Sequence, residues 1–180
     1  MNVIIKGHVG YYCAGMNQKA KITIDGNVGT GVAENMMSGR VHVKGNASQS
    51  VGASGHGGTI IIDGNASSRC GISMKGIDII VKGSVGHMSG FMAQSGNLLV
   101  CGNAGEALGD SIYETTIYIA GKPKSLGIDC VEKKINKLDI KKIETLLKKG
   151  NIKNFKPKNF KKFGSARKLY NFNIDNVSNY

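Results

Sequence analysis

The 180-residue sequence predicts an all-β protein: a parallel β-helix solenoid of about six to seven 19-residue coils, with a C-terminal helix and extended tail. The first observation is a glycine that recurs every nineteen residues, at Gly7, Gly26, Gly45, Gly64, Gly83, Gly102 and Gly121. The second is an alternating apolar segment before most of these glycines, such as KITID, RVHVK and TIIID, which is typical of a strand. The third is the period itself, because nineteen residues are too few for a helix pair or a propeller blade and fit one turn of a β-helix.

Stacking the repeats in register predicts four columns of small aliphatic side chains inside the coils, because residues two apart share one face of a strand. The first strand column is Ile22, Val41, Ile60, Ile79, Leu98 and Ile117. The second is Ile24, Val43, Ile62, Val81, Val100 and Ile119. A third column follows the Gly-Asn corner, with Val9, Val28, Ala47, Ala66, Val85 and Ala104. The fourth contains Cys13, Val32, Val51, Cys70 and Leu108.

The corners of the coils predict two ladders. Glycine is expected there either because the backbone needs a positive φ or because neighbouring backbones crowd together. The residue after the glycine is often asparagine, and we expect these side chains to bond to one another up the column: Asn27, Asn46, Asn65 and Asn103. The residue before it alternates in charge, which favours one register: Asp25, Lys44, Asp63 and Lys82.

The repeat ends near residue 130, and the charge changes there. Residues 1–130, the predicted solenoid, carry ten Lys/Arg and eight Asp/Glu, a balance of +2. Residues 131–180 carry fourteen and four, a balance of +10, and are predicted to form a basic capping helix and a partner-docking tail. The helix is expected from an N-cap at Asp139 to Lys149, with Gly150 after it, and is expected to cover the last coil.

The tail is rich in aromatic residues, which we expect to anchor either on the flank of the solenoid or on a partner: Phe155, Phe160, Phe163, Tyr170, Phe172 and Tyr180. No apolar run approaches the roughly 18 residues of a membrane span, so no membrane partner is expected. The first residues lack the apolar region of a signal peptide. A cytoplasmic location is the resulting expectation.

The residue types that carry chemistry do not converge in this repeat. The four cysteines are not in Cys-x-x-Cys pairs and are expected to be structural or free thiols. The four histidines fall in different columns, and the glycine-rich VGASGHGG precedes a strand, whereas a phosphate loop opens a helix. We therefore expect no catalytic residue, no bound cofactor and no metal site in this chain.

Two surfaces are open to more than one interpretation. Methionines lie near one edge of the coils, where they either fill the core or form a partner-covered face: Met36, Met37, Met74, Met88 and Met92. The basic tail could hold nucleic acid through its lysines and aromatic rings, but a solvated or partner-docked tail is commoner.

Several long motifs resemble one known family. GNVG, GNAS, GSVGHMSG and GNAGEALGDSIYE resemble the Gly-x-Gly-x-Gly domain, the right-handed β-helix at the C-terminal end of the glutamate synthase large subunit. NMMSGRVHVKGNASQSVGASGHGG, SRCGISMKG, GHMSGFMAQSG and the tail GSARKLYNFNIDN most resemble its free-standing version. That version is the β-helix subunit of archaeal-type split glutamate synthase and of N-methylglutamate synthase.

The resemblance implies a scaffold subunit without catalytic residues. Its partners would be a glutamine amidotransferase subunit and an FMN/iron–sulfur synthase subunit, which would carry the cofactors, and a homo-oligomer is left open. On this interpretation we expect the partner interface to include Arg167, Tyr170, Phe172, Met88 and Met92. The alternatives are a scaffold like the β-helix subunit of formylmethanofuran dehydrogenase, which contains a related domain, and a basic nucleic-acid-binding module.

Overall fold

A computed structural model of the chain describes residues 1–167. Seven strands recur at the predicted interval: β1 (Asn2–Lys6), β2 (Lys21–Asp25), β3 (Arg40–Val43), β4 (Thr59–Ile62), β5 (Lys75–Val81), β6 (Ser95–Val100) and β7 (Thr116–Ile119). Each pairs in parallel with the next, and residues nineteen apart are paired, as in Val3↔Ile22 and Ile22↔Val41. The predicted parallel β-helix is therefore confirmed. Its coils are numbered here from the first, residues 1–19, to the seventh, which begins at residue 115.

The interior of the coils contains the four predicted columns. The members from the second coil onward are buried together in one core cluster, except Ile22, which is partly buried against it. The third column forms a second line of parallel pairings, from Val9↔Val28 to Val85↔Ala104. Because each coil buries its apolar side chains against the next coil, the core is continuous along the solenoid.

The asparagine column differs from the prediction in one respect. Each side-chain oxygen accepts from the backbone N–H of the next member of the column, as in Asn27 Oδ1 to Asn46 N and Asn46 Oδ1 to Asn65 N, both 2.8 Å. The amides therefore do not bond to one another, because the backbone N–H of the corner needs an acceptor. The charged column forms the expected pairs, with Lys44–Asp25 at 3.5 Å and Lys82–Asp63 at 2.7 Å.

From Gly26 onward, the nineteen-residue glycines are required by close approach of the backbones, whereas Gly7 in the first coil has φ +104° and no neighbouring atom within 4 Å of a built Cβ. A Cβ at Gly83 would lie 2.7 Å from the carbonyl oxygen of Gly64, and Gly83 has no positive φ. A second column needs positive φ: Gly52 has φ +63°, and a Cβ there would lie 2.7 Å from Ile60 Cδ1. Both explanations offered for the glycines apply, at different corners.

Opposite the strands, each coil forms a run of turns that we call the turn face. It comprises residues 11–18, 30–37, 49–56, 68–75, 87–94, 106–113 and 125–129. Non-glycine residues there repeatedly adopt the left-handed region: Tyr12, Ser50, Arg69, Met88 and Ala107 in one column, and Met16, Asn35, Ser54, Ser73, Met92 and Ser111 in another. Their N–H groups donate to the next coil, as in Met88 N to Glu106 O at 2.8 Å. These inter-coil bonds hold a backbone conformation that costs about 1–2 kcal/mol per residue.

The helix α1 (Lys137–Lys149) packs on the outward side of the strands, which we call the sheet face. The predicted apolar residues Ile143, Leu146 and Leu147 are buried in a second cluster with outward side chains of the strands: Ile61, Ile80, Leu99 and Tyr118. The prediction of Asp139 as N-cap is wrong. Asn136 is the N-cap, and its side chain accepts from Leu138 N and Asp139 N, while Asp139 accepts from Asn136 N. Asp139 therefore completes a capping box.

The last coil is covered by a strand from the C-terminal region, and α1 lies beside it on the sheet face. After β8 (Cys130–Lys133), α1 and a 3-10 turn (Pro157–Asn159), strand β9 (Lys161–Ser165) pairs antiparallel with both β7 and β8. Phe160 and Phe163 are buried, so these two aromatic residues anchor on the solenoid. Residues 157–165 thus belong to the folded body, which limits the candidate docking tail to the chain beyond them. Within residues 1–167, no helix has the length and apolar composition that crossing a membrane requires.

Candidate partner interface

The turn face carries most of the exposed large apolar side chains of residues 1–167. They are Tyr11, Tyr12, Met16, Met37, Met92, Tyr113, Leu126 and Ile128. The sheet face differs, because α1 and the segment after it cover the strands from the fourth coil to the seventh. The exposed apolar side chains of the turn face form two groups, one in the first and second coils and one in the fifth to seventh coils. Clustered exposed apolar side chains are typical of interaction surfaces. The turn face is therefore the candidate partner interface.

Met88 and Met92, the two methionines predicted at an interface, both lie on the turn face in the fifth coil. Met88 is half-buried and Met92 is 43% exposed. Their backbones are fixed, since Met88 N donates to Glu106 O and Met92 N donates to Asp110 O at 2.9 Å. Met36 and Met74, by contrast, are fully buried in the core. The methionine-rich edge therefore contains both core-filling and surface residues.

Arg167 reaches the same side of the solenoid. Its guanidinium forms an ion pair with Asp129, and the neighbouring Ala166 N donates to Asp129 O at 2.7 Å. Asp129 has φ +63° and continues the left-handed column of Met92 and Ser111 into the seventh coil. At about 4.8 Å per coil, the Asp129 and Met92 backbones lie roughly 10 Å apart. Tyr170 and Phe172, the other predicted interface residues, lie outside the described residues.

The acidic residues near this surface are paired locally. Glu106 lies 2.7 Å from Lys124, and the hydrogen bond from that ammonium lowers the pKa of the Glu106 carboxyl. Asp110 accepts from Ser111 Oγ at 2.8 Å and from Ile128 N at 3.3 Å. These contacts join the sixth and seventh coils. Carboxylates held in this way contribute to local structure, and the Ser111 hydroxyl is part of that arrangement because it donates to Asp110.

The cysteine thiols are held in their neutral form. Burial raises the pKa of Cys70 to about 12 and that of Cys101 and Cys130 to about 11, with Asp110 adding to the effect at Cys130. Burial also raises the pKa of Cys13. Because the thiolate is the reactive form, these thiols are weak nucleophiles at neutral pH. Across residues 1–167, no three His, Cys, Asp or Glu side chains lie close enough together to hold a metal ion.

One ionic network on the sheet face was predicted only in part, because His42 was not expected to join it. His42 Nε2 lies 2.9 Å from Asp63 Oδ2, and Lys82 approaches the other oxygen of that carboxylate. Burial alone would raise the pKa of Asp63, but the hydrogen bonds from Lys82 and His42 outweigh it and hold the pKa below its ordinary value. The charged column indicated the Asp63–Lys82 pair. His42 joins it because its side chain points outward from the adjacent strand of the same sheet.

A second network lies under the helix. Tyr118 Oη donates to Asp139 Oδ1 at 2.8 Å, and Lys162 Nζ lies 2.8 Å from the same oxygen. Burial raises the pKa of Tyr118, and its hydrogen bond to Asp139 raises it further. The network connects β7, α1 and β9, which are distant in sequence. The signal that could have indicated it is Asn136 three residues before Asp139, the spacing of a capping box.

Taken together, the described residues form a parallel β-helix whose sheet face is covered by its own chain from the fourth coil to the seventh and whose turn face exposes apolar side chains in the first, second and fifth to seventh coils. Over 74 residues the chain is 58% identical to Protein GlxC of Rhizobium meliloti (strain 1021). That stretch covers 41% of this chain and 32% of the relative, so it spans about a third of Protein GlxC. No protein-family model matches the chain, and no solved structure matches it.

Proposed function

We propose that the chain is a noncatalytic scaffold subunit of a glutamate-synthase-like oxidoreductase complex. It would hold a glutamine amidotransferase subunit and an FMN/iron–sulfur synthase subunit in a fixed relation. The observation that carries the proposal is the exposed apolar turn face, which lies on a solenoid whose coils are hydrogen-bonded along several columns. The similarity to Protein GlxC and the motifs quoted above support the family assignment.

The geometry suits a spacer. Each coil contacts only its neighbours, so a solenoid behaves as a stiff rod with long faces. Six steps of about 4.8 Å separate the first and seventh coils by roughly 29 Å. Two subunits docked along such a rod would keep their reactive sites at a fixed separation and orientation. This would matter when one site releases ammonia and the other consumes it, because positioning replaces a diffusional encounter.

The interface would run along the turn face near Met88, Met92 and Arg167. The methionine side chains would provide adaptable apolar contacts, and the Arg167 guanidinium, 66% exposed, would retain donors for a partner carboxylate. Tyr170 and Phe172 would extend this surface in sequence beyond Arg167. No cofactor would be bound by this chain, and the flavin and cluster would belong to the partner.

The first test is a tagged purification of the full chain from its native cells at moderate salt, followed by mass spectrometry and a flavin absorbance scan. Recovery of an amidotransferase and a flavin-containing iron–sulfur subunit would support the proposal. Recovery of a molybdenum- or tungsten-pterin enzyme would replace it with the formylmethanofuran dehydrogenase scaffold. The isolated chain alone, recovered folded at several salt concentrations, would contradict both.

A pair of variants then locates the interface. Met92→Glu introduces a charge on the turn face, and we expect it to lower partner recovery at least about tenfold, because burying an unpaired charge costs several kcal/mol. Thr145→Glu introduces the same charge on the exposed side of α1 and should leave recovery unchanged. Loss with Thr145→Glu alone would move the interface to the helix. Both variants should keep the wild-type circular dichroism spectrum.

The docking role of the tail needs a truncation that spares the fold. Ending the chain after Arg167 removes Tyr170 and Phe172 but retains β9 and the buried Phe163. We expect this truncation to reduce partner recovery without lowering the stability of residues 1–167. A truncation after Gly150 would also remove β9, so its result could not separate docking from folding.

A nucleic-acid-binding module is the second candidate, because residues 131–167 carry thirteen Lys/Arg and only three Asp/Glu. Part of this charge borders an open groove beside β8 and β9, which also contains one acidic residue; its lining is Glu132, Lys133, Lys134, Ile135, Phe160, Lys161 and Lys162. This candidate predicts binding to single-stranded nucleic acid that weakens steeply between 50 and 200 mM salt, by about 300-fold for six phosphate contacts. Salt-independent partner recovery would exclude it.

A further inference from the structure

The first coil is the open end of the solenoid core. The apolar residues that pack on the main core but remain partly exposed are concentrated there: Ile5, Val9, Cys13 and Ala14, with Ile22 of the second coil. Several large apolar side chains on the same coil are strongly exposed: Met1, Ile4, Tyr11, Tyr12 and Met16. The last coil differs, since β9 pairs with its strand. Within residues 1–167, the last coil is thus covered by another strand and the first coil is not.

The open end also has a strand edge that no strand of residues 1–167 pairs with. Along β1 and its flanks, the odd-numbered residues face the second coil, as in the bonds from Gly7 N to Asp25 O and from Lys21 N to Met1 O. In a parallel ladder, alternate residues direct both backbone groups to the same neighbour. The N–H and C=O groups of Asn2, Ile4 and Lys6 therefore point away from the coil. Such an edge is a template for pairing with another strand.

We infer that a second copy of this chain docks head to head on the first coil, with the two β1 strands paired antiparallel about Ile4. This register places Asn2 opposite Lys6 of the other copy and Ile4 opposite its own counterpart. Val3 and Ile5, which face the interior, would then meet each other across the interface. In this register the outward side chains pair asparagine with lysine and isoleucine with isoleucine, and the inward side chains pair valine with isoleucine. A parallel pairing in register would instead place Lys6 beside Lys6 of the other copy, and like charges directly opposite are destabilising.

The features around β1 favour a whole copy over a single added strand. Tyr12 and Met16 lie on the turn face, across the coil from β1, and a lone strand on β1 would leave them uncovered. The five exposed side chains offer at most about 700 Å², taking about 200 Å² for each when fully exposed. This area is comparable to the roughly 800 Å² that each partner buries in a stable complex.

The closed end determines which assembly can form. Head-to-tail stacking of solenoids would generate an open-ended fibre, because that contact does not close on itself. It would pair β1 with the outermost strand at the other end, which is β8, because β9 occupies the outer edge of β7. Strand β8 is four residues long and exposes Glu132 and Lys133, and short, charged edge strands disfavour such pairing. A head-to-head contact is two-fold symmetric and closes as a dimer. This inference shares Tyr11, Tyr12 and Met16 with the turn face, but it uses none of Met88, Met92 and Arg167 and does not depend on the proposed partner interface.

The test is analytical ultracentrifugation of the purified full chain across a range of protein concentrations. We expect a dimer, and we expect Ile4→Lys to weaken dimerisation about 100-fold, because it sets two lysines against each other at the symmetry axis. Thr23→Lys, in the same column one coil further in, is the matched control and should dimerise like the wild type. Both variants should retain the wild-type circular dichroism spectrum, which checks that the coils are still folded.

A cysteine variant tests the register directly. Residues opposite each other in a hydrogen-bonded antiparallel pair have Cα atoms about 5.5 Å apart, within the reach of a disulfide. Under a mild added oxidant, Ile4→Cys should form a covalent dimer on a non-reducing gel, and Thr23→Cys should not. A wild-type monomer at all concentrations, or an Ile4→Lys dimer as strong as wild type, would overturn the inference.

Discussion

The two ends of the solenoid are built from the same repeat but finish differently. At the last coil, β9 pairs antiparallel with β7, and Phe163 fills the end of the core. At the first coil, β1 has no strand on its outer side within the described residues, and Ile5 and Val9 remain partly exposed. The comparison teaches that a repeat specifies its interior but not its ends. Whatever covers an end must be supplied separately, either by a segment outside the repeat, as with β9, or by another molecule.

The largest expected difference between the ends concerns one aromatic side chain. Phe163→Ala removes a side chain that is 2% exposed, and we expect it to lower the free energy of unfolding by about 3–5 kcal/mol. Ile4→Ala at the open end removes an exposed side chain and should change it by less than about 0.5 kcal/mol in the monomer. Urea titrations at a protein concentration where the chain is monomeric would measure both values. Equal effects would mean that the closed end is not what stabilises the last coil.

A second difference is between two ion pairs at the closed end, one buried at Asp139 and one exposed at Glu132. Asp139 accepts from Tyr118, from Lys162 and from Asn136 N, and it is buried. We expect Asp139→Asn to lower the free energy of unfolding by about 2–4 kcal/mol, because it leaves the half-buried Lys162 ammonium without its partner. Glu132→Gln removes an exposed ion pair between Glu132 of β8 and Lys161 of β9, and it should lower the free energy of unfolding by less than about 1 kcal/mol. If both variants lost the same stability, solvent exposure of the ion pair would not be the deciding factor.

The same carboxylate predicts an effect of pH. Burial would raise the pKa of Asp139, but the hydrogen bonds from Lys162, Asn136 and Tyr118 hold it below its ordinary value. A carboxylate with a lowered pKa in the folded state contributes stability above its unfolded pKa of about 3.9 and loses it as pH falls through the folded value. Stability should therefore decrease below about pH 4, and the decrease should be smaller in Asp139→Asn. Asp63, whose pKa is also lowered, would account for part of the decrease in stability that remains in the Asp139→Asn variant.

The interior of the fold was predictable from the sequence, and the parts outside the repeat were less so. The period fixed the register, so the buried columns from Val28 to Ile119 could be assigned residue by residue. Strand β9 has no counterpart in the repeat, and its antiparallel pairing depends on a contact with β7 more than forty residues away in sequence. Local patterns do not encode such a contact.

The backbone conformation of the candidate interface was not predictable from the sequence. The methionines near one edge left core filling and a partner-covered face open, and the structure contains both kinds, with Met36 buried and Met92 exposed on the turn face. The left-handed backbone of Met88 and Met92 was not predicted, because φ > 0 is uncommon for such residues and the bonds to the next coil impose it. Asp129 was not associated with them either, since the seventh coil departs from the nineteen-residue spacing.

The smallest expected difference lies in the corner ladder. Asn46 Oδ1 accepts from Asn65 N in the middle of the solenoid, and His8 Nδ1 accepts from Asn27 N at the open end, both at 2.8 Å. Asn46→Ala should lower the free energy of unfolding by about 1 kcal/mol, because the neighbouring coils restrict the N–H that loses its acceptor. His8→Ala should cost less, since no coil lies beyond the first within the described residues and water can reach the freed N–H of Asn27. Amide hydrogen exchange of Asn27 and Asn65 would measure both effects site by site. If the head-to-head dimer forms, protection of the Asn27 amide in the His8→Ala variant should rise with protein concentration. Protection of the Asn65 amide in the Asn46→Ala variant should not change with concentration, because only the corner of the first coil is near the interface.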